Sequence, residues 1–592
     1  MRARPITVKP PVSAVVAVEV IALGAWIGLA PAWVGWWPAA VVTAVAAVLL
    51  VVQFYRHNAA GWAAVVARHR GRRKELPRET ITYDVRHGDT AYGVRDTGDE
   101  LITMIAVAGR ADAPTLLRGP SVSLSTNVIP LRLLAGLLDQ PGGLHLAIDV
   151  VNIGQRVRRA NGYPPLYSTL LADKAAAGQR DTHLVARIDV EASTAGLAYR
   201  TSVGAAAAAA TERIIKRLEQ HGLRAAALTR DELNSALARL SGGLALAPAV
   251  PEEPTESGGN AGVDDEHDSS VSPAPEEPGR RRRRRGRDRT GKTPVEREDA
   301  AARKAAAAGL HWRSMKTRDG YLSTYYFSPE DITTINLNHA WALRADEVTQ
   351  ITTLFRDRSP AARREERVMV SAVVRVCEPQ PPTATPTLAL NPLPGQQFEA
   401  TLIGAPTTAR PRVELPARAL EPGDDLAVAI GSTGQLVGAA STDLPDNTPP
   451  VLRGDWVMLP IVDPQRVTQI AMDTSDFYAR QQLLRAAALG ERIVVYSANP
   501  RRWAGLSQPN ITITHPRGTS HFVPTIIVND RLGGLAPAGS ARTVITLGRI
   551  NPHQYTDIQF VQISQGQVQI TTESEQFEID IVAFKQEQAW AG

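Results

Sequence analysis

The sequence predicts a membrane α-hairpin of two transmembrane helices, followed by a cytoplasmic α/β domain that a disordered insertion interrupts. Three observations predict this fold class. Two apolar runs, residues 12–30 and 38–54, lie close together near the start of the chain. Strand-like and helix-like segments follow one another after residue 80, and a stretch with almost no apolar residues separates them at 241–308.

Each apolar run is close to the length with which a helix crosses about 30 Å of hydrocarbon. Lys and Arg side chains lie before the first run and after the second, and the joint between the runs has none. Because basic residues beside a membrane span stay on the cytoplasmic side, we expect a multi-pass inner-membrane protein with both termini in the cytoplasm. A cleaved signal peptide is the competing interpretation, but Glu19 inside the first run and the immediate second run argue against it.

Six residues of this hairpin are predicted to take part in membrane interaction. They are Glu19, Gly24, Gly28, Trp33, Trp36 and Trp37. The indole rings favour the membrane interface, and the glycine pair permits close approach of another helix. A carboxylate is costly in hydrocarbon unless it is protonated or paired. Two interpretations stay open: the two helices pack on each other, or the carboxylate and the glycines contact other membrane subunits.

Composition limits the chemistry that the chain can perform. The 592 residues include one cysteine, Cys377, which excludes an intrachain disulfide framework and a Cys-rich zinc or iron–sulfur site. The net charge is +5, but much of the positive charge is local. The charge therefore does not indicate a basic binding face across the whole protein.

Changes in composition divide the chain into six parts. These are the transmembrane hairpin (1–57), the first part of the cytoplasmic α/β domain (58–240), the insertion (241–308), the continued domain (309–378), a Pro-rich linker with an irregular segment (379–425), and a C-terminal α/β part (426–592). Strands separated by helices favour an α/β layer over a β-sandwich.

Periodicity gives the individual elements. Apolar spacing predicts helices at 128–138, 205–222 and 231–240, and buried strands at 144–151 and 182–190. In the last part, a strand at 469–473, a helix at 477–490 and a strand at 492–496 follow one another. A strand–helix–strand crossover of this kind is the unit from which parallel sheets are built.

The insertion carries two charged blocks, the first acidic and the second a run of six arginines from Arg280 to Arg285. It has too little apolar surface to form a core, so we expect it to be disordered. The arginine run is a solvated linker, or it meets anionic lipid headgroups or an acidic partner. Nucleic-acid binding is not favoured, because no aromatic residues are interleaved for base stacking.

One motif in the insertion matches the P-loop pattern G-x-x-x-x-G-K-[ST], with Gly286, Gly291, Lys292 and Thr293 at the defining positions. Such a loop needs a buried strand before it and a helix after it, and here arginines precede it and Pro294 follows. We therefore interpret it as a chance match and expect no cofactor. Neither H-E-x-x-H nor G-x-S-x-G occurs, so no catalytic residue and no metal ligand is predicted.

Several segments, taken in order behind the double apolar run, resemble the EccE family of type VII (ESX) secretion systems. They are residues 92–104, Thr211-Glu212-Arg213, 431–438, 475–490 running into 492–496, and Arg501-Arg502-Trp503. The similarity covers most of the chain and is broken by the insertion. The order of the segments carries it more than any single motif does.

This resemblance implies a structural subunit of a secretion complex, without an enzymatic activity of its own. It implies EccB, EccC and EccD as partners in the inner membrane, with EccC as the motor ATPase. The family offers no catalytic residue to carry over to this chain. The alternative is a membrane-tethered enzyme, either an NTPase that uses the Gly286 loop or a transferase built on the α/β layer.

Overall fold

A computed structural model describes residues 6–8, 12–29, 36–71, 80–119, 122–157, 171–242, 309–357, 367–387, 389–407, 413–506, 508–530, 541–550, 553, 555–585 and 587–588. The described chain is dominated by two large β-sheets.

Strands account for most of the regular structure. In chain order they are β1 (Ile6–Thr7), β2 (Gln53–Phe54), β3 (Thr82–His87), β4 (Thr90–Asp96), β5 (Glu100–Ala108), β6 (Thr115–Arg118), β7 (Val122–Ser125), β8 (Val128–Pro130), β9 (Asp139–Gln140), β10 (Leu144–Gln155), β11 (Gln179–Asp189), β12 (Arg224–Ala227), β13 (Met315–Lys316), β14 (Tyr321–Phe327), β15 (Glu347–Arg356), β16 (Val368–Glu378), β17 (Leu390–Pro392), β18 (Arg418–Ala419), β19 (Ala427–Ala429), β20 (Gln435–Ala440), β21 (Trp456–Leu459), β22 (Thr468–Asp473), β23 (Ile493–Ser497), β24 (Ile511–Thr514), β25 (Ile526–Asp530), β26 (Thr543–Leu547), β27 (Ile558–Gln562), β28 (Gln567–Thr571) and β29 (Gln576–Asp580).

The described residues form fewer helices than strands. The helices are α1 (Val12–Leu29), α2 (Trp37–Val51), α3 (Ala59–Gly71), α4 (Leu131–Ala135), α5 (Thr194–Leu197), α6 (Val203–Glu219), α7 (Arg230–Leu240), α8 (Thr334–His339), α9 (Gln397–Thr401) and α10 (Asp476–Ala488), with 3-10 turns at Pro329–Asp331, Ala340–Ala342 and Pro500–Leu506.

The first large sheet, which we call the N-terminal sheet, has the strand order β13-β14-β16-β15-β10-β11-β5-β4-β3, with β9, β12, β17 and β18 paired beside this path. Its pairings are antiparallel throughout. Helix α6 covers one face, where Ala207, Ala210, Ile214 and Leu218 join the main core. Helix α7 covers the opposite face with three buried leucines.

The second large sheet, the C-terminal sheet, has the order β24-β23-β25-β26-β22-β27-β28-β29-β20-β21-β6-β7. Its first six strands are parallel, and the remaining pairings are antiparallel. Helix α10 lies over this sheet. Its Tyr478 is fully buried, and the hydroxyl donates to the Val437 carbonyl at 3.0 Å.

The two sheets are interlocked by the path of the chain. After β5 in the N-terminal sheet, the hairpin β6–β7 pairs with β21 in the C-terminal sheet, and the chain then returns to β10 in the N-terminal sheet. Strand β8, on the return path, pairs with β19. Because one segment of the N-terminal half is built into the other sheet, the two sheets cannot separate without breaking strand pairings.

The predicted transmembrane hairpin is wrong. Among the residues described, no helix is long and apolar enough to cross a membrane. The two apolar runs do form helices, which pack against each other, but α1 has 18 residues and α2 has 15, against about 20 for a typical span. The length of the second apolar run overestimates the length of α2, because the helix ends at Val51 and the chain continues as β2.

The predicted α/β layer is also wrong for the first half of the cytoplasmic domain. Its strands β3, β4 and β5 are joined by tight turns that contain Gly88 and Gly98, both with positive φ, so they pair antiparallel without crossover helices. The helix predicted at 128–138 shortens to α4, because residues 128–130 extend to pair with β19. The helices at 205–222 and 231–240 and the crossover in the last part are confirmed.

Candidate functional site

A cavity of about 990 Å³ lies where the two sheets meet. Its walls come from the end of β5, the start of β11, helix α7, and two loops of the C-terminal half, residues 431–435 and 460–465. We call the residues that join the sheets here the sheet junction, defined as Arg180, Arg224, Asp463 and the turn 431–434. The cavity is lined by residues of both sheets, and a concave surface of this kind is where a binding or catalytic site is expected.

Arg180 is the centre of the junction. Its backbone N–H donates to the Ser432 hydroxyl at 3.0 Å, and its guanidinium donates to the carbonyls of Gly431 at 2.6 Å and Ile430 at 3.2 Å. The guanidinium also lies 5.0 Å from the ring centroid of Trp341. Burial lowers the pKa of Arg180 to about 9. Carbonyl oxygens and an aromatic face thus replace the water that the buried cation has lost.

Arg224 links the sheets a second time. Its Nε and Nη2 donate to the Gly109 carbonyl at 3.0 and 2.8 Å, at the end of β5. Its Nη1 lies 2.8 Å from Oδ2 of Asp463, whose side chain is 1% exposed. The guanidinium therefore neutralises a carboxylate that is buried in a loop of the other sheet.

The far wall of the cavity carries a network of charges. Nη1 of Arg239 on α7 lies 2.9 Å from Oδ2 of Asp181, and its Nη2 lies 3.5 Å from Oε2 of Glu347. His183, two residues from Asp181, has a buried Nδ1 without a hydrogen-bond partner. Burial lowers the pKa of His183, and Asp181 only partly offsets this, so the imidazole is neutral at neutral pH.

The chemistry of the junction is that of a structural joint. The arginine side chains Arg180, Arg224 and Arg239 contact carbonyls or carboxylates of the protein itself. Within the described part of the chain, no group of three or more His, Cys, Asp or Glu side chains is placed to hold a metal ion. What the arrangement can do is hold the two sheets at a fixed angle.

We predict that Arg224→Ala lowers the free energy of unfolding by about 1–2 kcal/mol, because it leaves the buried Asp463 carboxylate with Arg466 as its ion-pair partner, whose Nε lies 3.6 Å from the same Oδ2. The value lies below that of a fully buried pair because the Arg224 side chain is 35% exposed. Urea unfolding measures it. The matched control is Arg344→Ala, whose ion pair with Asp173 spans 3.7 Å between exposed side chains and should not change the midpoint. Equal losses in both variants would contradict this role for Arg224.

Comparison with known proteins finds similarity to one family. A family model for EccE, a type VII ESX secretion system translocon, matches residues 176–270. The ESX-2 secretion system protein EccE2 of Mycobacterium tuberculosis is 27% identical over 511 residues, which cover 85% of this chain and 78% of that protein. The resemblance to the EccE family is confirmed.

Two further EccE relatives extend this result. The ESX-5 secretion system protein EccE5 of Mycobacterium tuberculosis is 24% identical over 461 residues, covering 72% of this chain and 97% of that protein. The ESX-5 secretion system protein EccE5 of Mycobacterium marinum is 23% identical over 372 residues, covering 61% of this chain and 76% of that protein. All three relatives are named as proteins of ESX secretion systems. The stretch that matches the EccE model includes β11, α6 and α7, and so part of the cavity wall.

Of the residues predicted for membrane interaction, those that the structure describes are not among the residues that line the cavity. Glu19, Gly24 and Gly28 are exposed on α1, and a Cβ at either glycine would meet no atom within 4 Å, so the pair does not form the contact with α2. Trp36 and Trp37, at the start of α2, are 67% and 56% exposed. Contact of these residues with lipid or with another subunit stays a prediction.

The remaining predicted residues lie outside the described part of the chain. They are Trp33, the arginine run from Arg280 to Arg285, and the P-loop match with Gly286, Gly291, Lys292 and Thr293. The assignment of these residues to lipid, to an acidic partner or to a chance match stays a prediction.

Some features of the sequence indicate part of the junction. The Gly431–Gly434 segment was singled out because it resembles EccE, and two glycines around Ser432 and Thr433 are typical of a turn. Nothing in the sequence pointed to Arg224 and Asp463, because they pair across two sheets and far apart in the chain.

Proposed function

We propose that this chain is a non-catalytic structural subunit of an ESX type VII secretion system, and that its two-sheet body docks on neighbouring subunits. On this proposal its partners are EccB, EccC and EccD. The motor activity of the system then resides in a partner, and this chain supplies a rigid surface on which the partner is positioned.

The extent of the similarity to EccE is the observation that carries the proposal. The alignment with EccE2 covers 85% of this chain, so it includes strands of both sheets and is not limited to one module. The interlocked hairpin β6–β7 and the sheet junction further support a rigid body, since both join the halves through backbone pairing and buried ion pairs. A subunit that transmits position needs such rigidity more than it needs an open pocket.

Secretion in a strain that lacks this chain tests the proposal against the enzymatic alternative. We expect the wild-type gene to restore export of an ESX substrate into the medium, and Lys292→Ala to restore it equally, because six arginines precede the P-loop pattern and a proline follows it. Both proteins must be present at the same level by immunoblot. Loss of export in Lys292→Ala would favour a membrane-tethered NTPase instead, provided that the variant is as abundant as the wild type and as stable as the wild type in the absence of nucleotide.

A further inference from the structure

The joint between α2 and α3 has an unusual backbone. Tyr55 and Arg56 are consecutive residues with side chains, and both have positive φ, of 45° and 67°. This left-handed region is sparsely populated for residues other than glycine. Such a conformation persists only where surrounding contacts hold it in place, so the contacts of the joint decide how the N-terminal helices are attached to the body.

Arg56 makes the first of these contacts. Its Nη1 donates to the Glu414 carbonyl, and its guanidinium lies 5.8 Å from the ring centroid of Tyr326 on β14. Burial lowers the pKa of Arg56 and raises that of Tyr326 to about 12. The joint is therefore partly desolvated against the N-terminal sheet.

Helix α3 makes the second set of contacts. Trp62 packs against Trp312 with ring centroids 6.1 Å apart, and His69 meets the same indole edge-on at 5.1 Å. Val65 is 3% exposed. Gly395, with φ +76°, lies so close that an added Cβ would be 2.7 Å from both Val65 and Trp312. The helix is thus fitted closely onto the body.

His57 connects the joint to the body through one hydrogen bond that depends on its protonation. Its Nε2 lies 3.0 Å from Nε2 of Gln396. An amide nitrogen only donates, so the imidazole nitrogen must accept and the ring must be neutral. The charged groups that face this ring are Arg56, Arg68 and Glu414, and burial together with the two arginines lowers the pKa of His57.

We propose that His57 is a proton-sensitive latch, which helps to hold α3 against the body when neutral and weakens this attachment when protonated. Protonation removes the acceptor for Gln396 and adds a third positive charge beside two arginines. Because the pKa is lowered in the docked state, docking is weakened as pH falls through the ordinary histidine value of about 6.5. This inference does not rest on the proposed function.

Hydrogen exchange of the full-length chain, read by mass spectrometry for peptides within residues 53–71, tests the latch. After correction for intrinsic exchange rates, we expect the opening equilibrium of this segment to rise up to about tenfold between pH 7.5 and pH 5.5. His57→Gln should remove this rise. His145→Gln, which changes an exposed histidine paired with Asp139, should keep it.

A second variant should reverse the direction in which hydrogen exchange of this segment changes as pH falls. Gln396→Glu places a carboxylate beside His57, which favours the protonated imidazole and accepts a hydrogen bond from it, so exchange of the segment should fall at pH 5.5 instead of rising. No pH effect in the wild type, or an effect that persists in His57→Gln and disappears in His69→Gln, would overturn the latch. The latch would also be overturned if exchange in Gln396→Glu rises at pH 5.5 as it does in the wild type, and this outcome can be read even where His57→Gln fails to fold.

Discussion

Replacing Gly434 with alanine is expected to lower the free energy of unfolding by about 2–4 kcal/mol, because the turn between the two sheets leaves no room for a methyl group. Gly434 has φ +76°, and an added Cβ would lie 2.1 Å from the Leu459 carbonyl oxygen and 2.2 Å from its carbon. Both atoms belong to the backbone and cannot move aside as a side chain would. The neighbouring Thr433, which donates to the Ala177 carbonyl at 2.7 Å, would be displaced from the junction.

Two other glycines provide matched controls for this variant. Gly431 has φ +65° but no neighbour closer than 4.0 Å, so Gly431→Ala should cost only about 1 kcal/mol for the backbone conformation. Gly423 has neither a positive φ nor a neighbour within 4 Å, and Gly423→Ala should leave stability unchanged. In urea unfolding, we expect the loss of unfolding free energy to be largest for Gly434→Ala, smaller for Gly431→Ala and absent for Gly423→Ala. The same loss in all three would contradict a close-packed turn at the junction.

Replacing Arg485 with methionine is expected to lower the free energy of unfolding by about 3–5 kcal/mol, because the buried Glu587 carboxylate would lose its charged partner and keep only the Gln481 amide, which donates to it at 2.8 Å. Arg485 is fully buried on α10. It binds Glu587 in a bidentate pair at 2.9 and 2.8 Å, and donates to the carbonyls of Leu436 and Val582 at 2.7 Å each. The pair thus attaches the segment after β29 to α10 and β20. Thermal and urea unfolding measure the loss.

A double-mutant cycle separates the charge from the packing. Arg485→Met with Glu587→Leu removes both charges, so we expect the double variant to be more stable than either single variant, although two carbonyls lose a donor. Arg230→Ala is the control, since its pair with Asp231 is exposed on both sides and should not shift the midpoint. Additive losses in the double variant would show that the two side chains act independently.

Local signals allowed the sequence to predict helices better than sheets. Helix α7 follows from its leucine spacing and from the Thr229–Glu232 capping box, and α10 from Ser475, whose hydroxyl accepts from the Tyr478 N–H. The pairing of strands was not predictable, because partners such as β6 and β21 are distant in the chain. Apolar length alone also misled the prediction at the N-terminus, where the run continues past Val51 but the helix does not.

The candidate site was predictable only where it coincided with a turn. Gly434 belongs to a short Gly-bracketed segment that sequence reasoning can single out. In the sequence, Arg180 is one polar residue at the start of a strand. Its burial depends on packing against the C-terminal half, where its guanidinium donates to the Gly431 carbonyl. Buried ion pairs between sheets have no sequence spacing, so they become visible only in the fold.

Co-purification tests the central claim most directly. The tagged full-length chain, extracted under mild conditions and resolved on a native gel, should migrate in a large assembly, and mass spectrometry should identify EccB, EccC and EccD in that band. Gly423→Ala should keep this assembly, whereas Gly434→Ala should lose it together with the sheet junction. A wild-type chain that migrates as a monomer or small homo-oligomer, free of other ESX subunits, would contradict the claim that this protein is a structural subunit of the secretion complex.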